Sequence, residues 1–394
     1  MDHVEELVLA HGKKGVDDTF RFMKGLVDTL SSTESSSNTD VTMKYDGRVS
    51  IFAGTDPESG KFFVGSKSVF NKVTPIVNYT HDDINRNHPN TLGDVLHIAL
   101  SEFPKLGIKG ILQGDVMFIP ETIVKKTING EEYYAFAPNT ITYAVPTSSG
   151  LGRKISKAKI GIVFHTGYSG KTIQSSKASF RINISGLKDT KSVWFTDAYV
   201  KKTNSIMLSK AEQKTAYGLL GAMEKQKNSI PGSLLKDIAA DKNKISSFMQ
   251  IYHNSKVKAG DFIKGGINIG SYTAGFFTFI SDRISKERDK RKSDKGKNTQ
   301  ETKRTDTLQY MRDNSTGLNT VMKYTATTNE LKILILRKLE RLDAIKSFIK
   351  KPDGYEVVGP EGFVAIDIND NAVKLIDRLT FSRNNFSVPK RTYK

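Results

Sequence analysis

Lys44-Tyr45-Asp46-Gly47 places a primary amine next to a glycine turn, at the end of the alternating apolar residues Val41, Met43 and Tyr45. Val49 and Ile51 resume the alternation, so the spacing predicts strand, loop, strand with the lysine at the strand end. Gly47, lacking a Cβ, would let a phosphate approach the backbone closely. A lysine of ordinary pKa, ~10.4, becomes a nucleophile near neutral pH only when positive charge or desolvation surrounds it. Three further pieces carry chemistry-bearing groups on apolar runs. Gly114-Asp115 puts a carboxylate inside residues 111–119, which otherwise favour burial, and a buried charge requires a partner. Glu361-Gly362-Phe363-Val364 opens a strand with a carboxylate, and Val373-Lys374-Leu375 places a lysine on the next one, after a turn at 368–371.

The elements that must hold these residues follow from apolar periodicity. Residues 2–30 read as two short helices, with Val4, Leu7 and Val8, then Val16, Phe20, Met23, Leu26 and Val27, separated by Gly12 and Gly15. Residues 31–40 are a turn-rich linker. Strands are expected at 62–64, 111–119, 133–136, 141–145 and 160–164, with a helix at 92–100. From about Ala198 the pattern turns helical, and Leu331, Leu334, Ile335, Leu339, Leu342, Ile345 and Ile349 mark a helix over 330–350. Residues 285–305 are nearly all charged or polar and read as a mobile basic loop. Strands resume at 355–358, 363–368 and 373–376. The expected organisation is N-terminal helices and linker over 1–40, a first part of a sheet core over 41–197, a basic helical insertion over 198–350, and final core strands over 351–394.

Composition narrows the function classes. The 394 residues, 37 % hydrophobic and 9 % aromatic, can build a real core. There is no cysteine, which excludes disulfides, thiol nucleophiles and zinc knuckles, and the seven histidines lack metal-ligand spacing. The first thirty residues hold no apolar core of a secretory signal, and the most apolar stretch, 262–280, includes Lys264, Asn268 and four glycines. No membrane association is expected, and a cytoplasmic location is. The net charge of +18 is unevenly spread: −5 over residues 1–150, +22 over 151–350 and +1 over 351–394. A basic middle suggests a surface for a polyanion, since phosphate contacts supply most non-specific affinity; solvated lysine-rich helices would give the same count.

Taken in order, these pieces resemble the shared motifs of the covalent nucleotidyltransferase superfamily, the adenylate-forming DNA and RNA ligases and the messenger RNA capping enzymes. The layout also looks like ligase-like proteins of large tailed bacteriophages. The resemblance implies an α+β fold: a ligase-type nucleotidyltransferase (adenylation) domain of antiparallel sheets, here with a large helical insertion. It implies that Lys44 attacks the α-phosphate of ATP and carries AMP, with Asp46, Gly47 and Arg48 beside it in the nucleotide-binding motif. Asp115 matches an acidic residue that contacts the ribose, Phe164 an aromatic that stacks on the purine, and Lys67 an arginine often found after the second strand. Glu361 matches the metal-associated glutamate and Lys374 a catalytic lysine on the nucleotide phosphate; Glu361 and Asp115 would be the ligands of Mg²⁺.

The pattern is not complete. Thr42 stands where DNA ligases often have glutamate, Arg48 comes one position early, and Ile376 replaces a second lysine. Only about 20 residues follow Lys374, too few for a C-terminal OB domain. That tilts the expectation toward an ATP-dependent, RNA ligase-like enzyme joining 5′-phosphate and 3′-hydroxyl ends of nucleic acid, RNA before DNA, held by region 151–350. The alternatives are a nucleic-acid-binding or phage-assembly protein with a ligase-like fold and no turnover, and a guanylyltransferase. Trp194 is expected to pack and His165 to be a hydrogen-bonded strand residue; Arg48 reads equally as a phosphate contact or a solvated turn residue.

Overall fold

A computed structural model of the chain describes residues 1–32, 39–128, 130–200, 204–263, 266–340, 346–351, 354–358 and 360–386. It is a mixed α+β protein with antiparallel sheets and divides into two compact units, one of residues 40–201 and 342–372, the other of 1–39, 202–341 and 373–394.

The first unit is built on strands. In chain order these are β1 (Thr39–Lys44), β2 (Val49–Thr55), β3 (Phe62–Gly65), β4 (Ile111–Phe118), β5 (Val124–Ile128), β6 (Glu131–Phe136), β7 (Thr142–Pro146), β8 (Ile160–Ser169), β9 (Lys177–Ser179), β10 (Val193–Asp197), β11 (Lys346–Lys351), β12 (Gly354–Val358) and β13 (Gly362–Asp367); β14 (Ala372–Leu375) carries the chain into the second unit. One sheet runs β10-β8-β4-β2-β3 with β9 added on β8, a second β12-β11-β7-β6-β5, and a third β1-β13-β14. In the first two sheets pairing is antiparallel except for β10 on β8.

Alternation along β8 explains the layering. Ile160, Ile162 and Phe164 face Val95, Leu96, Ala99 and Phe103 of the helix Thr91–Glu102 and the turn after it. Val163 faces Phe136, Tyr143 and Val145 of the second sheet, alongside Met117, Phe118 and Trp194. Because β8 is buried on both faces, it reads in sequence as a continuous apolar run. The helix Thr91–Glu102 starts where the Asn90 side chain accepts from the Leu92 N–H at 3.0 Å. Burying each of its apolar side chains contributes about 1.5–3 kcal/mol. Trp194 packs, as expected, stacked on Phe118 with ring centroids 5.9 Å apart.

The second unit is helical. Leu7–Ser31 is broken at Gly12 (φ 54°, ψ −122°), which fits the expectation of two helices across that glycine. A Cβ there would come within 2.2 Å of the Leu235 carbonyl oxygen, so the helix Gly232–Ala239 can pack closely only against glycine. The helix Ser315–Leu339 runs through the interior; its Tyr324 hydroxyl donates to the Val16 carbonyl at 2.8 Å, and its Lys332 pairs with Glu5 at 2.7 Å, both side chains fully buried.

Several expectations are corrected. The N-terminal helices, expected apart, belong to the helical unit, as do residues 373–394. Residues 285–305 do not form a loop: they join the helices Ile269–Asp289 and Asp294–Asp313, the second capped by Ser293 on the Gly296 N–H at 3.2 Å. Glu301 ties Arg288 (2.8 Å) to Arg304 (2.6 Å), so what resembled disorder in composition is a solvated, basic helix face. The helix expected over 330–350 begins at Ser315 and ends at Leu339, and Ile349 lies on β11 instead; a short apolar run does not distinguish the two periods. Most of the expected linker, 33–38, lies outside the described residues. Among those described, no helix is long and apolar enough to cross a membrane.

Candidate active site

β1 lies beside β13, and the neighbouring strands bring Lys44, the last residue of β1, to Glu361, the residue before β13. The Lys44 ammonium donates to Glu361 Oε2 in a direct ion pair between residues 317 apart in sequence. The lysine side chain keeps 34 % of its exposure and the glutamate 9 %, so the amine faces outward while its partner is enclosed. Burial pushes the Glu361 carboxyl above the usual carboxylate range; Lys44 opposes the shift, and the charges of Asp46 and Asp115 add to it. Three carboxylates thus share one neighbourhood with one amine.

The loop after Lys44 is clamped from the second sheet. Asp46 N–H donates to the Tyr143 hydroxyl at 2.7 Å. The Asp46 carboxylate accepts from the Asn139 amide (2.8 Å) and from the N–H groups of Thr140 (2.8 Å) and Ile141 (3.2 Å). Asp46, expected in the nucleotide-binding motif, has both carboxylate oxygens hydrogen-bonded to residues 139–141, which fixes the loop after Lys44. Tyr45 packs on Tyr143 with centroids 5.8 Å apart; burial, with the Asp197 charge, pushes its hydroxyl up to about 12. These clamps escaped the sequence because they join loops more than 90 residues apart, with no local pattern to mark them.

Gly47 lies against Asp115: a Cβ on Gly47 would sit 2.5 Å from that of Asp115. Gly47→Ala is therefore expected to cost about 1–3 kcal/mol by overpacking, read as a lower urea midpoint at unchanged slope. A loss under about 0.5 kcal/mol, the range of ordinary surface substitutions, would mean that Asp115 moves aside freely. Arg48 is exposed, and its N–H donates to the Val116 carbonyl at 3.2 Å. Asp115 pairs in register with Ser50 on β2 and Val163 on β8, on the face turned toward the second sheet. Lys67 is exposed two residues beyond Gly65, which pairs with Phe52, and so leaves β3 toward the end where Ser50 meets Asp115.

Phe164 requires correction. It is fully buried, packed edge-on to Phe103 at 6.1 Å on the helix-facing side of the sheet, so its ring cannot stack on a base. The ring on the site side is the next residue. β8 is irregular here: Thr166 pairs with Gln113 and Phe164 with Gly114, leaving His165 as the extra residue of a bulge. A bulge re-aims a side chain, and His165 Nε2 lies 3.5 Å from Asp115 Oδ1 while Nδ1 is 2.8 Å from the Thr166 hydroxyl. The expectation that His165 is hydrogen-bonded holds, and its position beside Asp115 is what the apolar run concealed. Gln113 adds a polar bridge on the same face, donating to the Ser50 hydroxyl (2.9 Å) and accepting from Tyr168 (2.7 Å).

Lys374 lies in the helical unit, where its backbone N–H donates to the Asp2 carbonyl at 2.9 Å. Its predicted role rests on the resemblance alone. Among the described residues no three His, Asp or Glu side chains converge as a metal cage. Mg²⁺ does not need one, since one or two carboxylates with phosphate oxygens and waters complete its shell. Asp115 and Glu361, hard oxygen donors coupled to each other, fit that requirement.

The chain belongs to a family of unknown function (DUF6267), whose model matches residues 1–390. No curated protein and no solved structure matches it.

Proposed function

We propose that this family member is a nucleotidyltransferase of the polynucleotide ligase type, which stores AMP from ATP on Lys44 and uses it to join nucleic acid ends, RNA in preference to DNA. In this reading the sheet unit is the adenylation domain, the helical unit replaces an OB domain, and the protein acts in the cytoplasm. The observation that carries the proposal is the meeting of Lys44 with Glu361 beside Asp115, from segments far apart in the chain. A structural ion pair alone would not require a lysine one-third exposed at a strand end, beside a clamped glycine turn.

Lys44 Nζ, after giving a proton to Glu361 or solvent, attacks the α-phosphorus of ATP; the N–P bond forms and the bond to pyrophosphate breaks. A terminal 5′-phosphate oxygen then takes AMP from the lysine, which recovers its proton. Finally a 3′-hydroxyl, giving its proton to solvent, attacks the phosphorus of that 5′-phosphate; the phosphodiester bond forms, the bond to AMP breaks and AMP leaves. Mg²⁺, held by Asp115 and Glu361, would neutralise the charge gathering on the phosphoryl oxygens. Tyr143 and residues 139–141 hold the loop, so the amine need not be oriented at the moment of reaction.

Incubation with each of the four α-labelled triphosphates and Mg²⁺ tests this. An alkali-stable, acid-labile adduct from ATP, as a lysine phosphoramidate must be, mapped by peptide mass to Lys44 is the expected result. An adduct from GTP alone would make the protein a guanylyltransferase. Salt-sensitive nucleic acid binding with no adduct from any triphosphate would leave a binding or assembly protein and sink the proposal.

A further inference from the structure

We propose that a basic cleft in the sheet unit, lined by Arg153, Lys154, Lys157, Thr190 and Lys191, grips a backbone phosphate of the nucleic acid about four nucleotides from the reacting end; its placement rests on the reading of Lys44 above. The cleft has a volume of about 300 Å³ and Asp189 as its one acidic lining residue. Asp189 pairs with Lys154 at 2.5 Å. Arg153 uses one N–H on the Ser148 carbonyl at 2.6 Å, which fixes its guanidinium and leaves its other donors over. Lys157 and Lys191 are exposed, and neither side chain makes an ion pair among the described residues. The cleft therefore presents three uncompensated cations, suited to phosphate.

The cations stand on fixed elements. The short helix Gly150–Ile155 is capped by the Ser149 hydroxyl on the Gly152 N–H at 2.9 Å and anchored by the buried Ile155. Lys159 N–H donates to the Ser192 carbonyl at 2.7 Å, joining the start of β8 to the segment that carries Lys191. Residues 151–200 hold nine lysines and arginines against two aspartates. The charged helix pair in the other unit sets three of its cations, Arg288, Lys290 and Arg304, against Asp289, Glu287 and Glu301.

The spacing gives the register. β8 and β10 begin at the cleft, with Ile160 opposite Val193, and reach the site end at Phe164 opposite Asp197. β7 covers the same span, from Tyr143, which holds Asp46, to Pro146, just before the cleft helix. Four residues of strand are roughly 13 Å at about 3.3 Å each, or about four steps of a duplex at 3.4 Å each.

The test is fluorescence anisotropy of a labelled 12-nucleotide RNA and a 3-nucleotide RNA across a salt series, with the wild-type chain and a Lys157→Gln/Lys191→Gln variant. Each neutralised phosphate contributes about 0.7 to the log–log salt slope of a single strand, so loss of the one gripped phosphate should lower it by about 0.7 on the 12-mer, with roughly tenfold weaker binding, and leave the 3-mer as before. An unchanged 12-mer slope, or equal loss on the 3-mer, overturns the proposal. So does a polyglutamate peptide that competes with the same slope change, which would assign the cleft to an acidic protein. Labelling of Lys44 is read separately: a slope change in a protein that forms no adduct retains the cleft as a nucleic acid site and removes only its register to the reacting end.

Discussion

Lys44→Arg is expected to abolish nucleotide attachment, by a factor on the order of 10⁴ or more, while the protein unfolds at nearly the same temperature as wild type. Arginine keeps the positive charge, and so the ion pair with Glu361. Its guanidinium does not lose a proton in proteins and offers no nitrogen lone pair. The substitution separates the two roles of Lys44, charge partner and nucleophile, which Lys44→Ala would remove together. Retention of label on the denatured protein, with peptide mapping, measures the first; thermal unfolding measures the second. Label persisting in the arginine variant would place the nucleophile elsewhere. Glu361→Gln is the companion: it keeps the shape and removes the charge facing the amine, and a hundredfold loss, about 2.7 kcal/mol, is expected.

The second large effect concerns stability. Lys332 and Glu5 are both fully buried and paired at 2.7 Å, and the second carboxylate oxygen of Glu5 has no hydrogen-bond partner among the described residues. Removing the cation alone, by Lys332→Met, leaves an uncompensated buried charge and is expected to destabilise the chain by about 3–5 kcal/mol. Replacing both, Glu5→Leu with Lys332→Met, removes the two desolvation penalties together and should recover most of that loss. Urea unfolding of the four members of this cycle gives the coupling directly. A Lys332→Met protein within 1 kcal/mol of wild type would mean that water or another group reaches Glu5 once the lysine is gone.

Sequence patterns showed the strands well where both faces of a strand are buried. β4, β6, β7, β8 and β13 stand within a residue or two of expectation on most of their ends, since continuous apolar runs mark them. β5 and β11, with the sequences VKKTI and KSFIKK, were hidden by their lysines, and β10 was not separated from its surroundings. Residues 285–305 read as a loop because they lie beyond the buried stripe Tyr272, Phe276, Ile280 and Ile284 of the first helix, and the second helix buries only Thr307 and Met311. At the site, order along the chain picked out Lys44, Asp115 and Glu361, which the fold places in one neighbourhood. It could not tell which face of β8 bears the ring, because a one-residue bulge shifts the alternation there and leaves Phe164 in the core beside an outward His165. Nor could it show that Asp46 holds a loop, since its three donors come from residues 139–141.

The chain enters the sheet unit at Asp40, leaves after 201, returns at 342 and leaves again after 372. On the ribosome this becomes a matter of timing. Lys44 emerges early, and its partner Glu361 follows 317 residues later, a delay of roughly 15–60 s at 5–20 residues per second. Until then β1 lacks its neighbour β13 and presents an unpaired strand edge. Chains broken off before that point would hold the Lys44 amine without its carboxylate partner.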